Sequence, residues 1–551
     1  MRAEVRAAID EVLVPSRLAS ALVACAGLPL PAETVGPLPP TALLLDLDRP
    51  QEVPSLVDGV AVIVRTPADL RRIAADPPRL PSARLLVVHV VEAPPWQGPP
   101  SPEAGSGFAT RALDSLRLAA HGASGWIAEA HFRVPVPVAG VLASMAGAPA
   151  PRRSGPVLRA GERPSRPAPS VDELVVNPVG FSAAPELGVA DLVRRADRWE
   201  VVLDGEPVAA FSGPVTDVDV AGLRPLRAVR VHWPARDTAG PARTRTEPGA
   251  SGGPDPADVA VALAAAGVPL LTRRIPEEAR SALGGETARL AEAATPELLA
   301  DDLRREEHSI ALRRTALLAH GRRAPARPPR ISVLLTTRRP EMLEFALSQI
   351  ARQRLADVEV VIAAHGFSPA SVPGAGPYPV TVVEADAATP FGEVLNLAAA
   401  RASGDYLAKW DDDDWYGPHH LADLHLARLY TGAEVTGTPA ELFYLQEADT
   451  TVRHRWASET WQPFVSGGTI FMPRDVFGAV GGFRPISRTV DGQFLAAVRQ
   501  ADARIYQAHG LGFLIRRADP ARHTWREPVE WFLDQAVGRW PGFRPTATLT
   551  G

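Results

Sequence analysis

Between Arg330 and Trp410 the chain carries four apolar runs of strand length: ISVLLTT (331–337), VEVVIAAHG (358–366), TVVEAD (381–386) and DYLAKW (405–410). Runs this continuously hydrophobic are covered on both faces, which happens when strands lie parallel and their connecting helices pack on either side of the sheet. Helical patterns fill the connections. RRPEMLEFALSQIARQ has Pro at its first turn, Glu beside it, and Leu, Phe, Ala and Ile at helical spacing. FGEVLNLAAARASG is a second helix, expected to be capped by Gly404. The fold class is therefore α/β, with a doubly wound sheet in the C-terminal part. Ligands of such sheets bind at the carboxyl ends of the strands.

At the carboxyl end of the fourth run stand Asp411, Asp412, Asp413 and Asp414, then Trp415. Four adjacent like charges are costly unless something positive compensates them. A solvated acidic loop is the bland explanation. Against it, the run leaves a strand directly and enters YGPHHLADLHLARL, aromatics and a helix start rather than polar coil. Carboxylates at alternate positions suit one hard divalent cation, with sites left for water or phosphate. An EF-hand is excluded, because Tyr416 stands where its Gly belongs. Lys409, the only lysine in the chain, lies two residues before Asp411. Strand alternation puts both on one face if the strand continues that far, so Lys409 either offsets acidic charge or is structural.

Further landmarks follow in order. Thr337 ends the first strand, Gly366 turns the second, and Asn396 lies in the helix before Ser403-Gly404-Asp405-Tyr406. After the aspartates come Gly481-Gly482-Phe483 and Asp491-Gly492-Gln493-Phe494-Leu495. This set, over about 331–520, resembles the family 2 glycosyltransferases of GT-A fold, whose pattern runs from a Thr-ended strand through D-x-D to a G-G-F turn and an E-D-x-x-L helix. Three positions depart from that pattern. His365 stands where the family has an Asp that holds uracil, which weakens the case for a UDP donor. Thr-Arg-Arg-Pro replaces Tyr-Asn-Arg-Pro, and Val490 replaces the Glu before Asp491.

The resemblance implies metal-dependent, inverting transfer of a hexose-type sugar from a nucleotide-diphosphate donor to a hydroxyl on a glycan, lipid-linked or secondary-metabolite acceptor. Polysaccharide biosynthesis is the setting it suggests. Asp411, Asp413 and His523 would hold Mn2+ or Mg2+ as a Lewis acid on the leaving diphosphate. Thr336, Thr337, His365, Asn396, Asp412 and Arg516 would bind the nucleotide sugar, while Asp414, Trp415 and Gly468 would face the sugar or acceptor. Asp491 would be the general base that takes the acceptor proton. An Asp before GQFL also suits a helix N-cap. His419, His420 and His425 read as a helix start rather than a zinc site. Trp415, Trp456, Trp461 and Trp525 suit sugar stacking and core equally. A fragment from about Pro325 to Gly551 is expected to keep nucleotide-sugar binding.

Upstream, ALLLDL (42–47), VAVIV (60–64) and RLLVVHVV (84–91) read as buried strands, with PADLRRIAADP helical between them. They place a Rossmann-like α/β unit over 1–145. A second α/β unit spans 171–320, with LVVNPVGF, WEVVLDG and AVRVHW as strands, then DVAVALAAAGVPLLTRR as helix, Gly turn and strand, then Ala/Leu/Arg helices. That last stretch resembles the second half of GT-B glycosyltransferases, in degenerate form. Residues 146–170, 236–257 and 321–330 are rich in Pro, Gly, Ser or Arg and read as linkers, which leaves 331–551 as the GT-A unit.

Composition narrows the classes. Net charge is −5 with no long basic stripe, which disfavours nucleic-acid binding. One cysteine, Cys25, excludes a disulfide framework and multi-Cys metal sites. Glu4, Asp10 and Glu11 interrupt the N-terminal apolar positions, so an amphipathic helix is expected there rather than a secretory signal. No apolar run is long enough to span a bilayer. The expected location is cytoplasmic, with peripheral contact at the inner face of a membrane as the variant. Two other enzyme readings fail: LLLDLDRP lacks the Gly-Thr of haloacid-dehalogenase phosphatases, and a nucleotidylyltransferase would need a Gly-rich N-terminal loop. The non-enzyme alternative is a carbohydrate- or partner-binding protein on a transferase-like fold.

Overall fold

The structure is a computed structural model. It describes residues 20–28, 42–48, 56–75, 80–94, 112–122, 124–146, 170–176, 178–195, 198–211, 213–233, 254–322, 328–369, 371–518 and 527–551. The expected N-terminal helix, nearly all of the 146–170 linker, most of the 236–257 linker, His523 and Trp525 lie outside these residues.

The described residues build four sheets. The first orders its strands Ala42–Asp46, Ala21–Ala26, Gly59–Val64, Ser82–Val90, Gly125–Pro137, Leu113–His121. Four are parallel and the last two add on antiparallel; Ala42–Asp46, expected to be buried, is an edge strand with Leu43 exposed. This unit is thus a mixed sheet rather than the wholly parallel one expected. The second sheet orders Leu270–Thr272, Leu226–Val231, Leu187–Arg195, Arg198–Leu203, Glu206–Phe211, three parallel strands followed by an antiparallel meander. LVVNPVGF is not a strand. Asp172 accepts from the Leu174 amide through its side chain and from Val175 and Val176 through its carbonyl, which winds the segment into turns.

The third sheet has eight strands: Val380–Ala385, Asp357–His365, Arg330–Thr337, Tyr406–Trp410, Phe471–Pro473, Val435–Gly437, Ile505–Gln507, Thr460–Trp461. The first four are parallel, and the four apolar runs of the sequence are those strands. The chain leaves Arg330–Thr337 toward one edge and returns on its other side at Tyr406–Trp410. A crevice opens at the carboxyl ends of strands wherever the winding reverses like this. Gly404 does not cap the preceding helix, which ends at Arg401. Its amide instead donates to Ser332 Oγ at 2.9 Å, and a Cβ there would come within 2.7 Å of that hydroxyl. The fourth sheet (Trp415–Tyr416, Phe513–Arg517, Leu442–Leu445, Thr450–His454, Ala536–Pro541) covers the far side of the aspartate run.

The units are joined by burial. One apolar cluster includes Val229, Leu263 and Leu312 together with Val333, Leu347 and Tyr430. The Asp302–His320 helix enters this seam with Leu312, Ala316 and Leu317. Arg305 donates to the carbonyls of Arg227, Ser182 and Leu226, while Arg313 pairs with Glu459 and Arg314 with Asp423. Arg71 and Asp217, both buried and 2.7 Å apart, link the first two units.

Candidate active site

The aspartate run begins one residue past the Tyr406–Trp410 strand, at the switch between that strand and Arg330–Thr337. Pairing of Trp415 with Leu514 then brings Arg516 against it. The four carboxylates meet different fates. Asp414 points inward, accepts the Arg516 amide at 2.9 Å, and is pushed well above the usual carboxylate range by burial and by Asp413 and Asp411. Buried and bonded to the Arg516 backbone, its side chain does not open onto solvent as a sugar-facing residue would. Asp412 accepts from Thr337 Oγ1 and from Arg339, and burial outweighs these partners to raise its pKa. Asp413 pairs with the same Arg339 at 2.9 Å and is 16% exposed.

Asp411 is the most open of the four, 38% exposed. Its Oδ1 lies 2.7 Å from Lys409 Nζ, and Lys409 lies 3.6 Å from Asp491 Oδ1. Alternation along the strand thus does put Lys409 and Asp411 on one face. Burial alone would favour the neutral amine; the two carboxylates outweigh it and hold the ammonium charged. Asp491 comes from the first turn of the Val490–Gln500 helix. Thr489, in the left-handed region at φ 58°, holds the N-cap position, so Asp491 does not cap. Val490, where a Glu was expected, is buried with Phe483 and Phe494 and anchors the helix. Burial raises the Asp491 pKa, Lys409 opposes it, and Asp411 adds to it. Its Oδ1 is buried with no hydrogen bond, though the side chain is 32% exposed.

Gly467 and Gly468 floor this space. A Cβ on Gly467 would run into Asp491 Oδ2, and one on Gly468 would come within 2.7 Å of Asp411 Oδ2. The buried Tyr416 hydroxyl accepts from the Asp411 amide and donates to the Gly468 carbonyl, both at 3.0 Å, locking the floor to the run. Asp411 Oδ2 is a hard oxygen donor beside this cradle, whereas Asp413, two residues on, is paired with Arg339. Among the described residues no group of three or more His, Cys, Asp or Glu side chains converges on one metal position.

The remaining candidates scatter. Thr336 Oγ1 is buried without a hydrogen bond at the strand end. Arg338 lies across His365, its nitrogens 3.0 and 2.9 Å from the two ring nitrogens, and burial and this guanidinium lower the imidazole pKa. Asn396 exchanges hydrogen bonds with the Phe483 backbone, clasping the Gly-Gly-Phe turn, so in this conformation it holds the fold rather than a nucleotide. The Arg516 guanidinium lies 5.8 Å over the Trp415 ring, and Trp415 also meets Phe345, Tyr444 and Phe543. His420 is buried among Trp410, Tyr416 and Phe513 at the start of its helix. Asp48 is taken up by Arg72 and the Gly27 amide. Sequence reasoning gave Arg339 and Tyr416 no role. Arg339 lies in the Thr-Arg-Arg-Pro turn that was read only as a departure, and Tyr416 sits five residues past Asp411, so both were within reach.

Residues 332–495, just under a third of the chain, match the model of glycosyl transferase family 2. No curated protein matches the chain. Two solved structures are similar to part of the chain. The mannosyltransferase PcManGT from Pyrobaculum calidifontis, in complex with GDP-Man and Mn2+, is 18% identical with a TM-score of 0.29, over 38% of this chain and 64% of that one. S. aureus TarS 1-349, in complex with UDP-GlcNAc, is 15% identical with a TM-score of 0.28, over 34% and 59%. The chain spans less than two thirds of either. Among the described residues no helix is long and apolar enough to cross a membrane. Residues 332–495, with the aspartate run and Asp491 inside them, are a glycosyl transferase family 2 domain.

Proposed function

We propose that the chain transfers a sugar from a nucleotide-diphosphate donor to a hydroxyl acceptor, with Asp491 as general base and inversion at the anomeric carbon. The observation that carries this reading is the meeting of Asp411 and Asp491, 80 residues apart in sequence, on one buried lysine above a glycine floor. Asp411 and Asp413 would hold a divalent cation, Mn2+ or Mg2+, whose Lewis acidity would steady the leaving diphosphate. The chain's residues do the rest. Arg339 keeps Asp412 and Asp413 together at the switch point, so the acidic charge is organised before a donor arrives. Thr336 and the Arg338–His365 pair, at the ends of neighbouring strands, offer a hydroxyl and a guanidinium to the nucleoside. Asp491, its side chain about a third exposed, accepts the proton of the attacking hydroxyl; burial and Asp411 hold its pKa above the ordinary carboxylate range, the direction a base needs. In this reading 331–551 is the transferase unit, and the sheets within 1–145 and 171–320 form separate α/β units.

The test is release of nucleoside diphosphate from a panel that includes GDP-mannose and UDP-N-acetylglucosamine, with Mn2+ present. Turnover of one donor, abolished in Asp413→Ala, supports the proposal. Binding without turnover across the panel and a set of hydroxyl acceptors would favour a non-catalytic carbohydrate-binding role.

A further inference from the structure

We propose that Lys409 is a positioning residue for the transfer step: it ties the Asp491 carboxylate to Asp411 and so sets where the base stands relative to the donor. The inference rests on the reading of Asp491 as base. Lys409 is 3% exposed, deep in the Tyr406–Trp410 strand, where its amide donates to the Ile470 carbonyl at 2.9 Å. A rigid, centrally paired strand therefore fixes the root of the side chain. Its ammonium reaches 2.7 Å to Asp411 Oδ1 and 3.6 Å to Asp491 Oδ1, with the Phe391 ring 6.0 Å away.

Asp491 needs such a tether. Its Oδ1 is buried without a hydrogen bond, and no side chain caps its helix, which starts from a left-handed Thr489. Among the described residues Lys409 is the one cation paired with it. The residue type fits the task as well. The remaining 57 of the 58 Lys and Arg residues are arginine, yet the cation between these two carboxylates is the single lysine. A compact ammonium with three rotatable donors serves two carboxylates from a buried slot; a planar guanidinium presents a fixed fork and needs more room. Removing the tether frees Asp491 to swing toward solvent while leaving Asp411 Oδ2, Asp413 and the glycine floor in place. Displacing a catalytic group by about 1 Å can cost on the order of 10²-fold in rate.

The experiment measures Lys409→Met and Lys409→Gln against wild type with the donor that wild type turns over, in Mn2+. Three quantities are read: donor affinity by calorimetry using an Asp491→Asn background, kcat for transfer, and melting temperature. The expected result is a fall in kcat of roughly 10²-fold in each variant that stays folded, with donor affinity within about threefold and a cooperative melting transition kept by Lys409→Gln. In the Asp491→Asn background, removing the lysine should change the residual rate by less than about threefold, because it acts through that carboxylate. Wild-type kcat in either variant overturns the proposal, as does a loss of donor affinity that matches the loss of rate. Should wild type turn over no donor, it is the proposed function that fails. Lys409→Gln keeps a polar donor in the slot, so it reads the charge even where Lys409→Met unfolds.

Discussion

Two acidic clusters in this molecule invite comparison. At the seam, Glu459 is 2% exposed and fully engaged: Arg313 pairs with one oxygen, and the Tyr430 and Tyr506 hydroxyls donate to the other at 2.9 Å. Asp423 likewise takes both Arg314 nitrogens at 2.7 Å and His509 at 3.0 Å, and its pKa is driven far down. At the switch point, Asp411 and Asp491 share one lysine and each keeps an oxygen open to solvent beside two glycines. The same chemistry is used twice. Closed carboxylates hold the fold together, whereas the part-exposed ones are, in the proposed function, left for a ligand.

The largest expected effect concerns where the transferase unit ends. A fragment starting near Pro325 was expected to bind donor alone. The seam argues against it: that cut removes Arg313, Arg314 and Glu306, and strands Glu459, Asp423 and Arg453 in a buried interface. The 325–551 fragment should lack a cooperative thermal transition, whereas one starting at Ser170 should show it by circular dichroism. A folded, donor-binding 325–551 fragment would break the comparison. The next effect is smaller. Arg313→Met should lower unfolding free energy in urea by about 3–5 kcal/mol, because it leaves Glu459 buried without its cation; an unchanged midpoint would place that carboxylate among the solvated ones. Smaller still is a pH effect. Asp491 must be ionised to act as base, and its pKa is raised, so transfer should fade as pH falls through a value above the ordinary ~3.9 of an aspartate. Asp423 is depressed and stays ionised there, so the melting temperature should hold across the pH range in which the rate falls.

How much of this was legible in the sequence follows the same division. Three of the four strands and the aspartate run were plain because buried parallel strands write continuous apolar text; the edge strand Val380–Ala385, with no buried residue, was read from its valines alone. The antiparallel additions Leu113–His121 and Gly125–Pro137 were missed, since the first is mostly exposed and the second holds polar residues within its apolar text. LVVNPVGF misled because its apolar letters mask a turn set by Asp172. The seam was invisible for a different reason: the Asp302–His320 helix buries arginines as well as leucines, so its apolar stripe is weak although both sides are covered. Which of four identical aspartates turns inward is decided by strand pairing with Leu514, and one sequence carries no sign of that.

The central claim is that Asp491 removes the acceptor proton. Its most direct test is Asp491→Asn assayed with the donor and acceptor that wild type uses. The expected outcome is a kcat lower by about 10²–10⁴-fold with donor affinity and melting temperature preserved. Transfer at the wild-type rate by a folded Asp491→Asn protein would contradict the account.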